Sequence, residues 1–207
     1  MTSKWLVWAQ RLQAIAQNGL TYSENPYDIE RYQQVRQLAA DMMADYSDTE
    51  PAYILDLFSQ EEGYATPKID VRAAVFQDDQ ILLVKEREDG GWTLPGGWVD
   101  VGEPPSVAIE REVFEESGYQ TKAVKLVALY DRNLDRHGHP PLRHHIYKLF
   151  FQCDLIAGTP TASFETDEVA FFAEHNIPNL SLTRVVPAQI QRLFEHYRHP
   201  NWATDFD

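Results

Sequence analysis

Hydrophobic positions near the N-terminus recur every three to four residues. Trp5, Trp8, Leu12 and Ile15 mark one helix face, which the Asn18-Gly19 pair is expected to close as a C-cap. LTYSENPYD reads as a turn-rich connection. Tyr32, Val35, Ala39, Met42 and Met43 form the stripe of a second helix, and PAYILDLF suggests a short third one. A packed seam explains these aromatic and methionine positions more simply than a ligand box. SQEEGYATPK then mixes glycine, proline and charge, and marks a boundary near residues 59–68. Beyond it the period becomes two. IDVRAAVF and ILLVKER read as strands of a hairpin around QDDQ, and KAVKLVALYD and RHHIYKLFFQCDLI as two more, separated by the polar loop RNLDRHGHPP. EVAFFA is a late strand. SLTRVVPAQIQRLFEHYRH reads as a C-terminal helix capped by Ser181 or Thr183, and the acidic tail NWATDFD is expected to fray. The pattern predicts a small helical domain over residues 1–62, then a layered α+β domain over 67–201.

Composition narrows this picture in a few places. A chain of 207 residues with 43% hydrophobic content can bury one good core and a smaller one. A formal charge of −14 argues against a broad electrostatic grip on nucleic acid, so no stable nucleic-acid partner is expected. A phosphorylated substrate would need local cations or metal. The single cysteine, Cys153, excludes an internal disulfide framework and reads as strand filler. The start, MTSKWLVWAQRLQAI, is broken by Gln10 and Arg11 and does not read as a signal peptide. No apolar run approaches the roughly 20 residues that span a bilayer. No membrane association and a reducing, cytoplasmic setting are the expectation.

The chemistry concentrates in GEPPSVAIEREVFEESGY, with five glutamates in eighteen residues. Proline at the start, a run of helix formers and Gly118 at the end read as a helix. At about 100° per residue, Ala108, Glu112 and Glu116 fall in one line with Glu115 beside it, while Ile109 and Val113 supply packing. A solvated acidic face is one reading. Glu112 and Glu116 repel one another at four-residue spacing with no lysine between, however, and a hard dication on their oxygens would relieve that repulsion. In the preceding WTLPGGWVDVGE, Gly96 and Gly97 permit close backbone approach, although an ordinary turn would also use such a pair.

This segment resembles the Nudix hydrolase box. The box has a glycine, five residues, a glutamate, seven residues, then Arg-Glu-aliphatic-any-Glu-Glu-any-Gly-aliphatic. Here it runs Gly97, Glu103, Arg111, Glu112, Val113, Phe114, Glu115, Glu116, Ser117, Gly118, Tyr119, with Tyr119 in the last aliphatic place. The resemblance implies an α/β/α sandwich with a mixed sheet. It also implies Mg2+, with Mn2+ as a substitute, held by Glu112, Glu115, Glu116 and the Gly97 carbonyl and supported by Glu103. Arg111 would orient a glutamate, Glu103 or Glu115. In-line attack of water on a phosphoanhydride would then use a box glutamate, Glu115 or Glu116, or a carboxylate from SFETDEVAFF, Glu168 or Glu165, as base.

Arg132, Arg136 and Arg143, with four histidines in YDRNLDRHGHPPLRHHIY, concentrate donors suited to phosphate or ribose, and the spacing is not that of a zinc site. Arg132, Arg143 and His145 are candidate substrate contacts. Trp92 is another, since it and Trp98 flank the glycines and could stack a base or pack into the core. The helical extension and LSLTRV are similar to a bacterial Nudix subgroup acting on X-linked nucleoside diphosphates, ADP-ribose and CDP-choline among them. That similarity implies a homodimer. The aromatics Tyr22, Tyr27, Tyr130 and Trp92 could cradle a choline headgroup. A nucleoside triphosphate or dinucleoside polyphosphate hydrolase, a non-catalytic nucleotide-sugar sensor and an RNA-processing enzyme are the rival readings.

Overall fold

A computed structural model describes residues 4–46, 49–142 and 144–207. The chain divides into two compact units: Met1–Pro67 with Pro141–His145, and Lys68–Pro140 with Ile146–Asp207. No helix among the described residues is long and apolar enough to cross a membrane.

The first unit contains α1 (Lys4–Tyr22), α2 (Pro26–Asp45) and α3 (Pro51–Ser59). Leu6 and Ala9 of α1 meet Ala40 and Met43 of α2 and Ile54 of α3 in a small apolar core. The α2 start is built locally, with Pro26 in the first turn and the Asn25 side chain accepting from the Tyr27 amide at 2.9 Å. Asn18-Gly19 does not end α1, which continues to Tyr22. Asn18 instead accepts from the Ala65 amide at 2.7 Å. A Cβ on Gly19 would lie 2.4 Å from the Tyr32 ring, so the missing side chain is what admits the aromatic of α2.

The second unit is a mixed sheet between two helices. Its elements are β1 (Lys68–Gln77), β2 (Gln80–Glu86), β3 (Trp92–Thr93), α4 (Pro105–Ser117), β4 (Tyr119–Asp131), β5 (Ile146–Gly158), β6 (Thr166–Ala173), α5 (Pro187–Arg198) and β7 (Asp205–Phe206). The strand order is β3-β2-β1-β5-β4-β7, with β6 also paired to β2. β1–β5 and β4–β7 are parallel and the other pairs antiparallel. The β1–β2 turn places Asp78 and Asp79 at φ 49° and 57°, the left-handed geometry that two-residue hairpins require. Strand alternation divides the core into two sides. Val71, Ala73 and Val75 pack on Ala108, Ile109 and Val113 of α4, together with Cys153. Ala74, Ile81, Leu83 and Phe150 pack on Ile190, Leu193 and Phe194 of α5.

Three expectations change here. The C-terminal helix begins at Pro187, with Val186 at its cap position and the Gln189 side chain accepting from the Val186 amide at 3.2 Å. Ser181 is used elsewhere, donating to Asp89 at 2.7 Å, and the Thr183 carbonyl receives Arg132. The strand read from Arg143 begins at Ile146. The tail does not fray. It pairs with β4, Asp205 accepts from Arg192 at 2.5 and 3.0 Å and from the Tyr130 hydroxyl at 3.1 Å, and Asp207 meets Arg136 and His137. Its acidity is what the cations of α5 and the β4–β5 loop match.

Candidate active site

The carboxylate helix α4 opens with Pro105 in its first turn and closes on Gly118 at φ 76°, whose amide donates to the Phe114 carbonyl at 2.9 Å. Its buried stripe of Ala108, Ile109 and Val113 fixes its rotation against β1 and so sets where the neighbouring glutamates lie. Glu116 is carried inside, 6% exposed.

The segment from Leu94 to Val99 runs beside β1. The Ala73 amide donates to Pro95, Val71 to Gly97, and Val99 to Ile69, at 2.9, 2.9 and 3.2 Å. Gly96 has φ +141°, and a Cβ there would stand 2.0 Å from the Val71 carbonyl oxygen. A side chain cannot enter. The Gly96 amide is thereby free to donate to the Glu116 carboxylate at 2.9 Å. A Cβ on Gly97 would come within 3.0 Å of the Glu112 carboxyl, so this glycine also makes room for a box glutamate.

Arg111 gathers the remaining carboxylates. It forms a two-pronged pair with Glu103 at 3.0 and 2.9 Å, and one further nitrogen reaches both Glu112 and Glu115 at 2.9 Å. The Arg111 hydrogen bonds hold Glu103 below its usual range. Burial, only partly offset by Arg72 and Gly96 and reinforced by Glu112 and Glu86, pushes Glu116 up to about 8. Burial raises Glu112 as well.

Among the described residues, no three His, Cys, Asp or Glu side chains converge in a metal cage. Arg111 draws three of the carboxylates to itself and Gly96 takes the fourth. The donor set nevertheless fits a hard dication. It consists of carboxylate oxygens on one rigid helix and a glycine loop, and burial disfavours their negative charge unless a cation accompanies it.

The other candidates lie apart from this group or have internal partners. Glu168 is exposed on β6, paired with Lys85 at 2.6 Å. Glu165 is exposed in the turn before β6. Trp92 packs edge-on against Phe172 at 4.7 Å, while Trp98 is exposed. Arg132 is buried and donates to the carbonyls of Thr183 and Pro140 at 3.1 and 3.0 Å. His145 is exposed and groups with the helical unit, and Arg143 lies outside the described residues.

His139, in the same loop, is buried. Its Nδ1 lies 2.9 Å from the Leu182 carbonyl and its Nε2 2.9 Å from the Gln189 amide nitrogen, which makes Nδ1 the donor and Nε2 the acceptor. Burial, with help from the charges of Arg132 and Lys148, pushes it down to about 4. The unfolded chain takes up this proton near the ordinary value of 6.5 and the folded chain resists it to about 4. Stability is therefore expected to fall as pH drops through that window, by on the order of 3 kcal/mol, and to level off below it. Urea titrations of wild type and His139→Gln across the window check this. The variant should lose that part of the slope, and an unchanged slope would assign the effect to other groups.

Asp70, Arg72 and Lys148 are the polar residues that the sequence reading passed over. Charges two apart in IDVRAAVF and one in IYKLFF, on otherwise apolar strands, were the available signal.

Comparison with known proteins was consistent with this geometry. Residues 66–194 match the family model described as NUDIX domain, and residues 3–58 that of a UDP-X-like, N-terminal oligomerisation domain. The chain is 46% identical over 205 residues to the Bacillus subtilis (strain 168) protein named "Putative ADP-ribose pyrophosphatase YjhB", covering 99% of this chain and 98% of that one. A crystal structure of an ADP-ribose pyrophosphatase from Streptococcus suis is 39% identical with TM-score 0.61, covering 69% of this chain and all of that one, 100%. A crystal structure of a UDP-X diphosphatase is 33% identical with TM-score 0.64 and covers 100% of both chains.

Proposed function

The chain belongs to the Nudix family as a hydrolase of pyrophosphate bonds in the nucleoside-diphosphate-X class, and from that premise we propose that its preferred substrate is ADP-ribose, cleaved to AMP and ribose 5-phosphate. The observation that carries the reading is an intact carboxylate group, Glu103, Glu112, Glu115 and Glu116, organised by Arg111 and the Gly96–Gly97 loop. Full-length similarity to a protein named for ADP-ribose supports the substrate. Glu112, Glu115, Glu116 and the Gly97 carbonyl would hold Mg2+ or Mn2+, with Glu103 in support. The metal supplies charge neutralisation on the phosphate oxygens and makes a water more acidic.

The chain's own groups do the rest. The Gly96 amide holds Glu116, and Arg111 gathers Glu103, Glu112 and Glu115, so the carboxylates that a dication would need are already grouped on one helix and its loop. A carboxylate then takes the water's proton. Glu115 is 55% exposed at its side chain and held on one side only by Arg111, whereas Glu168 is engaged with Lys85, so we place Glu115 ahead of Glu168. The helical unit supports a homodimer reading: Trp8 and Ile15, seven positions apart on α1, leave 56% and 55% of their surface exposed.

The test is a Mg2+-dependent hydrolysis comparison of ADP-ribose, a UDP-sugar, CDP-choline, a diadenosine polyphosphate and a dNTP, ranked by kcat/KM. ADP-ribose should lead by about tenfold or more. A UDP-sugar in first place would favour the second reading, which the full-length likeness to the UDP-X diphosphatase structure supports. Turnover of none by a folded, metal-binding protein would move the assignment to a nucleotide-sugar sensor.

A further inference from the structure

Asp70, Arg72 and Lys148 form an ionic group in the protein interior, 5%, 5% and 1% exposed. Alternation puts them on the α5 side of β1 and β5, where Asp70 lies opposite Lys148 and Arg72 opposite Phe150. Asp70 is the hub. Its carboxylate accepts from Arg72 at 3.0 and 2.8 Å and from Lys148 at 2.7 Å. Apolar side chains of similar volume would serve stability as well as buried ions do, so packing alone does not account for the choice.

The remaining Arg72 contact supplies a reason. Its Nη1 donates to the Leu94 carbonyl at 3.2 Å. Leu94 opens the segment whose Gly96 amide holds Glu116 and whose Gly97 makes room for Glu112. Pro95, between them, has no N–H to offer β1, so backbone pairing alone is incomplete at this point. Arg72 Nη1, oriented by the pairing of Nε and Nη2 with Asp70, adds a tie to this segment from within the core.

We propose that Arg72 is a positioning residue for the carboxylate site: anchored on Asp70, it fixes the Leu94–Gly97 segment, and that segment fixes Glu116 and Glu112. The role rests on the hydrolase reading for its effect on turnover, and it acts on the metal-binding geometry whether or not substrate is present. Lys148 is a second anchor of Asp70 and has no such line to the loop.

The experiment compares wild type, Arg72→Lys, Arg72→Met and Lys148→Met. Mn2+ affinity is read by electron paramagnetic resonance without substrate, and kcat and KM with Mg2+ and ADP-ribose. Lysine keeps the charge, but one ammonium cannot form the fork on Asp70 and also reach Leu94. Both Arg72 variants should fold, bind Mn2+ about tenfold more weakly and lose about tenfold or more in kcat, with KM within about threefold. Lys148→Met, which leaves the Asp70–Arg72–Leu94 line intact, should stay near wild type in all three. Mn2+ affinity and kcat within about twofold of wild type in a folded Arg72 variant would overturn the proposal. So would unfolding of both Arg72 variants while Lys148→Met folds, because the guanidinium would then serve the fold and not the loop. Weaker Mn2+ binding in Arg72→Lys, alongside a wild type that hydrolyses none of the nucleotides, would uphold the positioning role and reject the hydrolase reading.

Discussion

Glu116→Gln is expected to leave the protein folded and to lower kcat/KM at least about a hundredfold, a loss of roughly 2.7 kcal/mol of transition-state stabilisation. The amide is nearly isosteric with the carboxyl, and its oxygen can still accept from the Gly96 amide, which now lies 2.9 Å from Glu116. Packing against β1 is untouched. What disappears is the capacity to carry a negative charge in a buried place where burial, Glu112 and Glu86 oppose ionisation and Arg72 only partly compensates it. Such a charge is a burden on the fold and an asset to a bound dication. Thermal stability should therefore stay level or rise while activity collapses, and raising Mg2+ should recover only part of the loss. Calorimetry and a Mg2+ titration of the rate check both halves. A variant nearly as active as wild type would remove Glu116 from the metal face.

Asp70→Asn should produce the largest loss of stability, on the order of 3–5 kcal/mol. Burial pushes the Asp70 carboxyl up, but the charges and hydrogen bonds of Arg72 and Lys148 outweigh it and hold it at about 2. It is thus ionised across the physiological range and balances two buried cations. Burial, reinforced by the charges of Arg72 and Arg132 and only partly offset by Asp70, already pushes Lys148 down to about 8. An asparagine keeps the shape and part of the hydrogen bonding but takes from a buried guanidinium and a buried ammonium the carboxylate that both pair with. Lys148→Met removes a buried ion and leaves the Asp70–Arg72 pair, so it should lie within about 1 kcal/mol of wild type or above it. Equilibrium urea unfolding of the two variants side by side gives the answer. An Asp70→Asn protein within about 1 kcal/mol of wild type would mean that water or backbone groups satisfy the two cations.

Features whose cause is local were legible in the chain. The helix over Pro105–Ser117, its Gly118 cap, the alignment of Glu112 and Glu116 and the Asp78-Asp79 hairpin all follow from spacings of four residues or fewer. At that range backbone geometry leaves few alternatives. The Gly96-Gly97 pair left close backbone approach and an ordinary turn both open, and the fold uses it for approach, Gly96 lying where a Cβ would meet the Val71 carbonyl.

Where the reading failed, a distant partner made the difference. Gly19 looked like a helix end and proved to be a seat for Tyr32. The acidic tail looked loose, and Arg192, Arg136 and Tyr130 dock it along β4. Distant partners also place Arg132, a candidate phosphate or ribose contact, whose guanidinium donates to the carbonyls of Thr183 and Pro140.

By itself, then, the sequence determined a helical N-terminal part, a mixed α+β part and one carboxylate helix suited to a dication, because periodicity and capping are short-range matters. Tertiary structure alone decided which charges are buried together. Asp70 and Lys148 are 78 positions apart and meet only because β1 and β5 pair in one register, and the dry interior then makes their ion pairing, with Arg72, obligatory.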